Sequence, residues 1–400
     1  MLIFGFIRKV WNCGWACALL MACSLVTLAT AQAPGVSDRQ IKIGSCAVLD
    51  GPNRLYGIQI VLGATAYFDY INDHGGVNGR KLGLSSFDDG YDPERTSACF
   101  ASLMREKVFA AGFFFGSATT AKYLPLLEAE HMPLVGTYSG APFIYEPVKH
   151  GIFNLRASYN DETRELVDNL WRADARRIGV IYQDDAFGKT VLDSATAALA
   201  KHKATPAAVG AYTRNALDVG SAIEAVHAAK PEVVILATTY AAAAEIVKRA
   251  HGQGWRPLFV SGSYIGTDAF ITVAGKEAEG VVSMQIVPPY DATDLPAVRL
   301  YRECLEKYMS RTQPSPTSLE AFVNAMVIVE ALKRAGKDPT REKFIAAIES
   351  MNGMDIGLGP EARLEFRAQH HKGLSRVYPT VVRNGKPEAF SNWAVMLARK

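Results

Sequence analysis

The feature that most limits what this chain can fold into is an alternation. From Ile41 onward, short apolar runs of strand length take turns with longer segments whose apolar residues recur at helical spacing. This is the mark of βαβ units, and so of parallel sheets covered by helices. Residues 41–48 read as a strand. Leu55, Ile58, Leu62, Ala66 and Ile71 then fall on one helical face, and Gly75-Gly76 supplies the glycine at which that helix stops. Residues 81–87 read as strand, 93–107 as a helix opened by Pro93, and 108–115 as strand. After Arg156 the pattern restarts: helix 162–173, strand 177–182, helix 188–201, strand 207–212, helix 221–229, strand 233–237, helix 241–253, then strands 258–261 and 280–286. Helices are expected over 295–311, 317–335 and 340–351, and strand-like runs at 376–382 and 390–396 flank the turn signal Asn384-Gly385.

Two sets of alternation, each near domain size, predict an α/β protein of two doubly wound parallel-sheet lobes. A length of 400 residues with 49% hydrophobic and 21% charged allows two ordinary cores. The net charge of +3, with Lys and Arg scattered among Asp and Glu, leaves no basic stripe for nucleic acid. Arg8 and Lys9 precede an uncharged run from Val10 to Thr30, with small residues at Ala29, Ala31 and Ala33, so residues 1–31 read as a Sec-type signal peptide. The alternatives are an uncleaved anchor, because the run has the length of a spanning helix, and a lipoprotein box at Leu20-Met21-Ala22-Cys23. Outside that leader stand Cys46, Cys99 and Cys304, an odd and sparse set that permits one bridge and reads more simply as three buried thiols.

In open α/β sheets ligands bind beyond the carboxyl ends of the strands. Those positions hold Gly116-Ser117-Ala118-Thr119-Thr120, Tyr138-Ser139-Gly140-Ala141, Asp184-Asp185-Ala186-Phe187-Gly188, Thr238-Thr239-Tyr240, and Ser261 to Gly266. They share small hydroxyls, glycines and lone aromatics. The hydroxyls after Gly116 exceed what one cap needs, and they coincide with a helix start, where free N–H groups favour an anion. Pro125 should kink that helix. Asp88-Asp89-Gly90-Tyr91-Asp92 lacks the spacing of a calcium loop and reads as a polar turn, and His370-His371 read as solvated loop histidines. No P-loop, nucleophile elbow or dinucleotide fingerprint lies between a strand and a helix, so no metal, no cofactor and no enzymatic activity are expected.

Ile41-Lys42-Ile43-Gly44, Asp50-Gly51-Pro52, Tyr56-Gly57, the run from Ile71 to Leu82 (INDHGGVNGRKL) and Asp88-Asp89 ahead of Asp92-Pro93 occur in fixed order. Together they resemble the opening of an ABC-transporter periplasmic substrate-binding protein of the leucine/isoleucine/valine-binding type. The motif from Tyr182 to Lys189 (YQDDAFGK) resembles the segment opening that family's second lobe, and Ala278-Glu279-Gly280-Val281 and Leu358-Gly359-Pro360 also fit. The resemblance implies the type I binding-protein fold, two lobes joined by a three-crossover hinge. Its lobes would be residues 38–157 with 288–362, and 158–287 with 363–392. It further implies a monomer in the periplasm that delivers a small carboxylate to an ABC transporter permease. That ligand would be a branched-chain or other amino acid, or a small aromatic acid. A membrane-anchored or soluble sensor of the same fold is the alternative.

By the same resemblance, Ser117, Thr119 and Thr120 with the backbone of Ser139, Gly140 and Ala141 would hold the carboxylate. Tyr56 would cover the ligand, and Phe187 and Tyr240 would close from the second lobe. One departure stands out. Amino-acid-binding members carry an acid where this chain has Ser263-Tyr264, so either Asp184 or Asp185 pairs the ligand's ammonium, or the ligand has none. An unpaired buried ammonium would cost several kcal/mol.

Overall fold

The computed structural model describes residues 32–398; the signal-peptide, anchor and lipoprotein readings of residues 1–31 lie outside it. Among the described residues the chain forms twelve strands. Five belong to one sheet: β1 (Gln40–Ala47), β2 (Lys81–Asp88), β3 (Ala110–Gly112), β4 (Leu134–Val135) and β5 (Ile152–Phe153). Seven belong to another: β6 (Ile178–Gln183), β7 (Val209–Tyr212), β8 (Val233–Ala237), β9 (Leu258–Ser261), β10 (Val282–Gln285), β11 (Tyr378–Arg383) and β12 (Lys386–Ala389). The first sheet runs β2-β1-β3-β4-β5 and is parallel throughout. The second repeats that order as β7-β6-β8-β9-β10 and adds β11 and β12 antiparallel at its edge. β8 is buried at every position, as a parallel strand covered on both faces must be. In each sheet the strand order reverses beside the first strand, and ligands of doubly wound folds sit at that reversal.

Three stretches connect the sheets. The first follows β5, through Arg156, into the helix Tyr159–Arg172. The second leaves β10 for the helices Pro296–Tyr308 and Pro316–Ala335, and the latter packs against the helix Arg54–Asp73 on the first lobe. Before the third, the chain lies beside β5: Gly373 N–H donates to the Asn154 carbonyl at 2.8 Å and Leu374 N–H to that of Leu155 at 2.7 Å. It reaches the second sheet only at Tyr378.

Several local expectations are corrected. Residues 390–396 are not a strand. Asn384 and Gly385 both take positive φ, as a two-residue hairpin turn needs, so pairing resumes at once at Lys386 and ends at Ala389. Asn392 then caps the short helix Trp393–Leu397. Pro125 lies inside the helix Ser117–Ala129, as expected; that residue and Ala121, whose carbonyl loses a partner, are both exposed to water. Cys46 of β1 and Cys99 of the helix Thr96–Arg105 form a disulfide, while Cys304 is a buried free thiol. His371 is buried rather than solvated: Nδ1 lies 3.0 and 2.9 Å from the carbonyls of Lys149 and Ile152, which fixes the proton on that nitrogen.

Candidate ligand-binding cleft

A narrow cavity lies where the strand ends of the two sheets face each other. Its walls are aromatic: Tyr56, Tyr91, Phe115, Tyr138 and Tyr159 from the first lobe and the first connection, with Phe187 and Tyr264 from the second lobe. The lobes touch across its mouth. Tyr56 donates its phenol to the Tyr264 carbonyl, Leu55 N–H donates to Tyr240 Oη at 3.1 Å, and Asn53 Nδ2 donates to Asn215 Oδ1 at 3.1 Å. Gln183 Nε2 donates to Tyr91 Oη at 3.0 Å. This is a closed cleft.

Local sequence explains how the rings are aimed. The turn Asp88–Asp92, with its calcium-like composition, holds Tyr91: Asp89 accepts from the Tyr91 N–H at 2.9 Å and from Tyr123 Oη at 2.9 Å, while Asp88 accepts from Gly90 N–H at 3.0 Å. Burial pushes the Asp89 carboxyl up to about 6. Tyr91 sits at φ 57, a left-handed conformation imposed by that turn, and its ring lies where a side chain on Gly116 would be, 2.2 Å from an added Cβ. Gly116 itself has φ 92. The glycine that breaks the aromatic run therefore makes room for Tyr91 as well as turning the chain. On the other lobe Asp185 accepts from the N–H groups of Phe187 and Gly188 at 2.9 and 3.1 Å, capping a helix whose second residue, Phe187, enters the cavity.

Of the residues expected from sequence, Tyr56, Phe187, Ser263 and Tyr264 meet at the cavity. Tyr240 lies behind Tyr56, ring centroids 5.3 Å apart. The small-hydroxyl positions turn inward on one another. Ser117 Oγ and Ser139 Oγ are 2.7 Å apart, Thr120 donates to the Gly116 carbonyl at 2.6 Å, and Thr119 donates to the carbonyls of Phe115 and Gly116. Ala141 N–H donates to Ser139 Oγ at 3.3 Å, and Gly140 packs under the ring of Tyr159. Tyr159 thus occupies the ground in front of the predicted carboxylate seat. Asp185 is spent on its cap, and Asp184 is solvated and paired with Lys189 at 2.7 Å. Neither lines the cavity.

The charged groups of the cleft come instead from the connections between lobes. Arg156 is 3% exposed, Glu162 1% and Glu320 4%. Arg156 Nη2 donates to Ser263 Oγ, which donates to Glu162 Oε1 at 2.9 Å, and Ser263 N–H donates to Glu162 Oε2 at 2.6 Å. Glu320 Oε1 lies 3.5 Å from Arg156 Nε, an ion pair too long to be a hydrogen bond; both atoms are buried without a hydrogen-bond partner. Burial pushes Glu162 and Glu320 up to about 7 against the pull of Arg156. Burial also opposes the charge of Arg156, but Glu320 and Glu162 more than offset it and hold the guanidinium above its usual range. Sequence reading missed Arg156, Glu162, Glu320, Tyr91 and Tyr159, and named Tyr138 only as part of a strand-end stretch. The one available signal was that Arg156 marks the point where the alternation restarts.

The periplasmic binding protein family model matches residues 40–387 of this chain. The chain belongs to that family. The leucine/isoleucine/valine-binding protein homolog 3 of Brucella melitensis is 21% identical over 346 residues, 85% of this binding protein and 92% of the relative. The crystal structure of a possible leucine/isoleucine/valine-binding protein from Rhodopirellula baltica superposes with a TM-score of 0.85 at 29% identity, covering 88% of this chain and 96% of that one. A branched-chain amino acid ABC transporter protein from Thermus thermophilus with bound valine shares the fold, with a TM-score of 0.79 at 20% identity over 91% of this chain and 100% of that one. The fold is the two-lobed type I form, and the role of the binding protein is solute binding.

Proposed function

We propose that this binding protein works in the periplasm, where it captures a small carboxylate, an amino acid or a small aromatic acid, between its lobes and delivers it to an ABC transporter permease. The observation that carries the reading is Arg156, a buried guanidinium on the wall of an aromatic cavity with its Nε hydrogen unclaimed. A carboxylate is the natural acceptor for that donor. The disulfide supports an oxidising compartment, and membership in the family supports the transport role. Affinity would come from one or two charge-assisted hydrogen bonds, roughly 1.5–3 kcal/mol each, together with burial against the rings. The lobes we assign to the two sheets, with the third crossing between Leu374 and Tyr378, would close by the contacts the second lobe adds.

A thermal-shift screen of amino acids, amides and aromatic acids tests this, because a ligand that binds only the folded state raises the melting temperature by mass action. At least one small carboxylate should raise it in a saturable manner. No response across the panel would overturn the assignment.

A further inference from the structure

We infer that Arg156 and Glu320 form a two-sided clamp for the ligand's polar head, a carboxylate on Arg156 and a neighbouring N–H donor on Glu320, and that Glu320 is the residue that selects against plain carboxylic acids. The inference rests on the reading that a small carboxylate is captured and narrows it.

Three observations support the clamp. The first is the pair of orphans. Arg156 Nε and Glu320 Oε1, on residues of the cavity wall, face each other as an ion pair at 3.5 Å, and neither buried atom has a hydrogen-bond partner. Buried polar groups are rarely left unsatisfied, and a head carrying an acceptor beside a donor would satisfy both at once. The second is position. Ser117 and Ser139 are spent on each other, and Asp184 and Asp185 are engaged elsewhere, so the charged groups at the cavity are those of the connections.

The third is charge. Arg156 faces two carboxylates, Glu320 directly and Glu162 through Ser263, while the phenols around them, Tyr138, Tyr145, Tyr159 and Tyr264, are buried and neutral. A plain carboxylate would bring a further negative charge to a cluster in which two acids already share a single cation, in a site of low dielectric. A zwitterion adds no net charge. Both oxygens of Glu162 already accept from Ser263, whereas Glu320 Oε1 has no donor, which makes Glu320 the acid that lacks one.

The test compares ligands of one carbon skeleton with and without the nitrogen. Pairs are L-leucine with 4-methylpentanoate and L-phenylalanine with 3-phenylpropanoate, and the corresponding carboxamides form a third arm that asks whether the donor must be charged. Titration calorimetry is done on the purified protein stripped of ligand, and on Glu320→Gln and Glu320→Asp. In the skeleton that fits, the amino acid should bind at least about tenfold more tightly than the plain acid. Glu320→Gln, whose amide can itself donate to a carboxylate, should weaken the amino acid by at least about tenfold and narrow that ratio. Glu320→Asp, which retracts the charge, should narrow it too and serves if the glutamine variant does not fold.

A wild-type preference for plain acids, or a ratio unchanged in a folded Glu320 variant, overturns the clamp and leaves the carboxylate reading standing. If no carboxylate of either kind binds, that reading falls and the clamp falls with it.

Discussion

At the scale of single residues the cleft is governed by burial of charge. Glu320 has an ordinary carboxyl value of 4.5 and is pushed up to about 7 by burial. An acid whose value is raised in the folded state holds its proton more tightly there. Its contribution to stability is therefore complete below about pH 4.5 and is lost as pH rises through about 7. In the ligand-free protein the melting temperature of Glu320→Gln should thus rise relative to wild type between pH 5 and pH 8, by a difference worth up to about 3 kcal/mol. Melting curves of both proteins across that range check this, and parallel curves would show that Glu320 does not titrate there. Nothing in the sequence marks Glu320 as special, because a glutamate in a helix is usually solvated.

At the scale of elements, hydrophobic period and turn chemistry specify most of what forms. The alternation was legible because parallel strands are apolar on both faces and helices on one, so the period itself changes at each boundary. Where the sequence misleads, a local rule loses to a neighbour. The run 390–396 has strand-like residues, yet the Asn384-Gly385 turn sets the register and leaves that run beyond the last pair. Cys46 and Cys99 pair because β1 and the helix Thr96–Arg105 bring their Cα atoms to 6.1 Å, a juxtaposition 53 residues apart in the chain. Removing the bridge by Cys46→Ala with Cys99→Ala should destabilise the first lobe by about 2–4 kcal/mol. A chemical denaturation series on the variant, and on wild type under reducing agent, measures it; no change in either would mean the bridge is not formed.

At the scale of the whole molecule, hydrogen bonds span the two lobes. Tyr240 does not line the cavity, yet its phenol accepts from the Leu55 N–H of the other lobe. Tyr240→Phe should leave the ligand's surroundings intact and loosen only the closed form, weakening affinity by about twofold to tenfold, mostly through faster release. Stopped-flow binding separates the two rates. A loss confined to the association rate would contradict a role in holding the cleft shut.

The sequence by itself determined the alternation of elements, the pair of doubly wound lobes, the family, and the rings Tyr56, Phe187 and Tyr264, because these follow from periodicity and from motifs a few residues long. Only the tertiary structure decided what the small hydroxyls after Gly116 do and where the charges of the cleft lie. Ser117 meets Ser139, and Arg156 meets Glu320 across 164 positions, through strand order and the connections between lobes. A buried charge is chosen by the partners that surround it in space, and spacing along the chain carries no record of them.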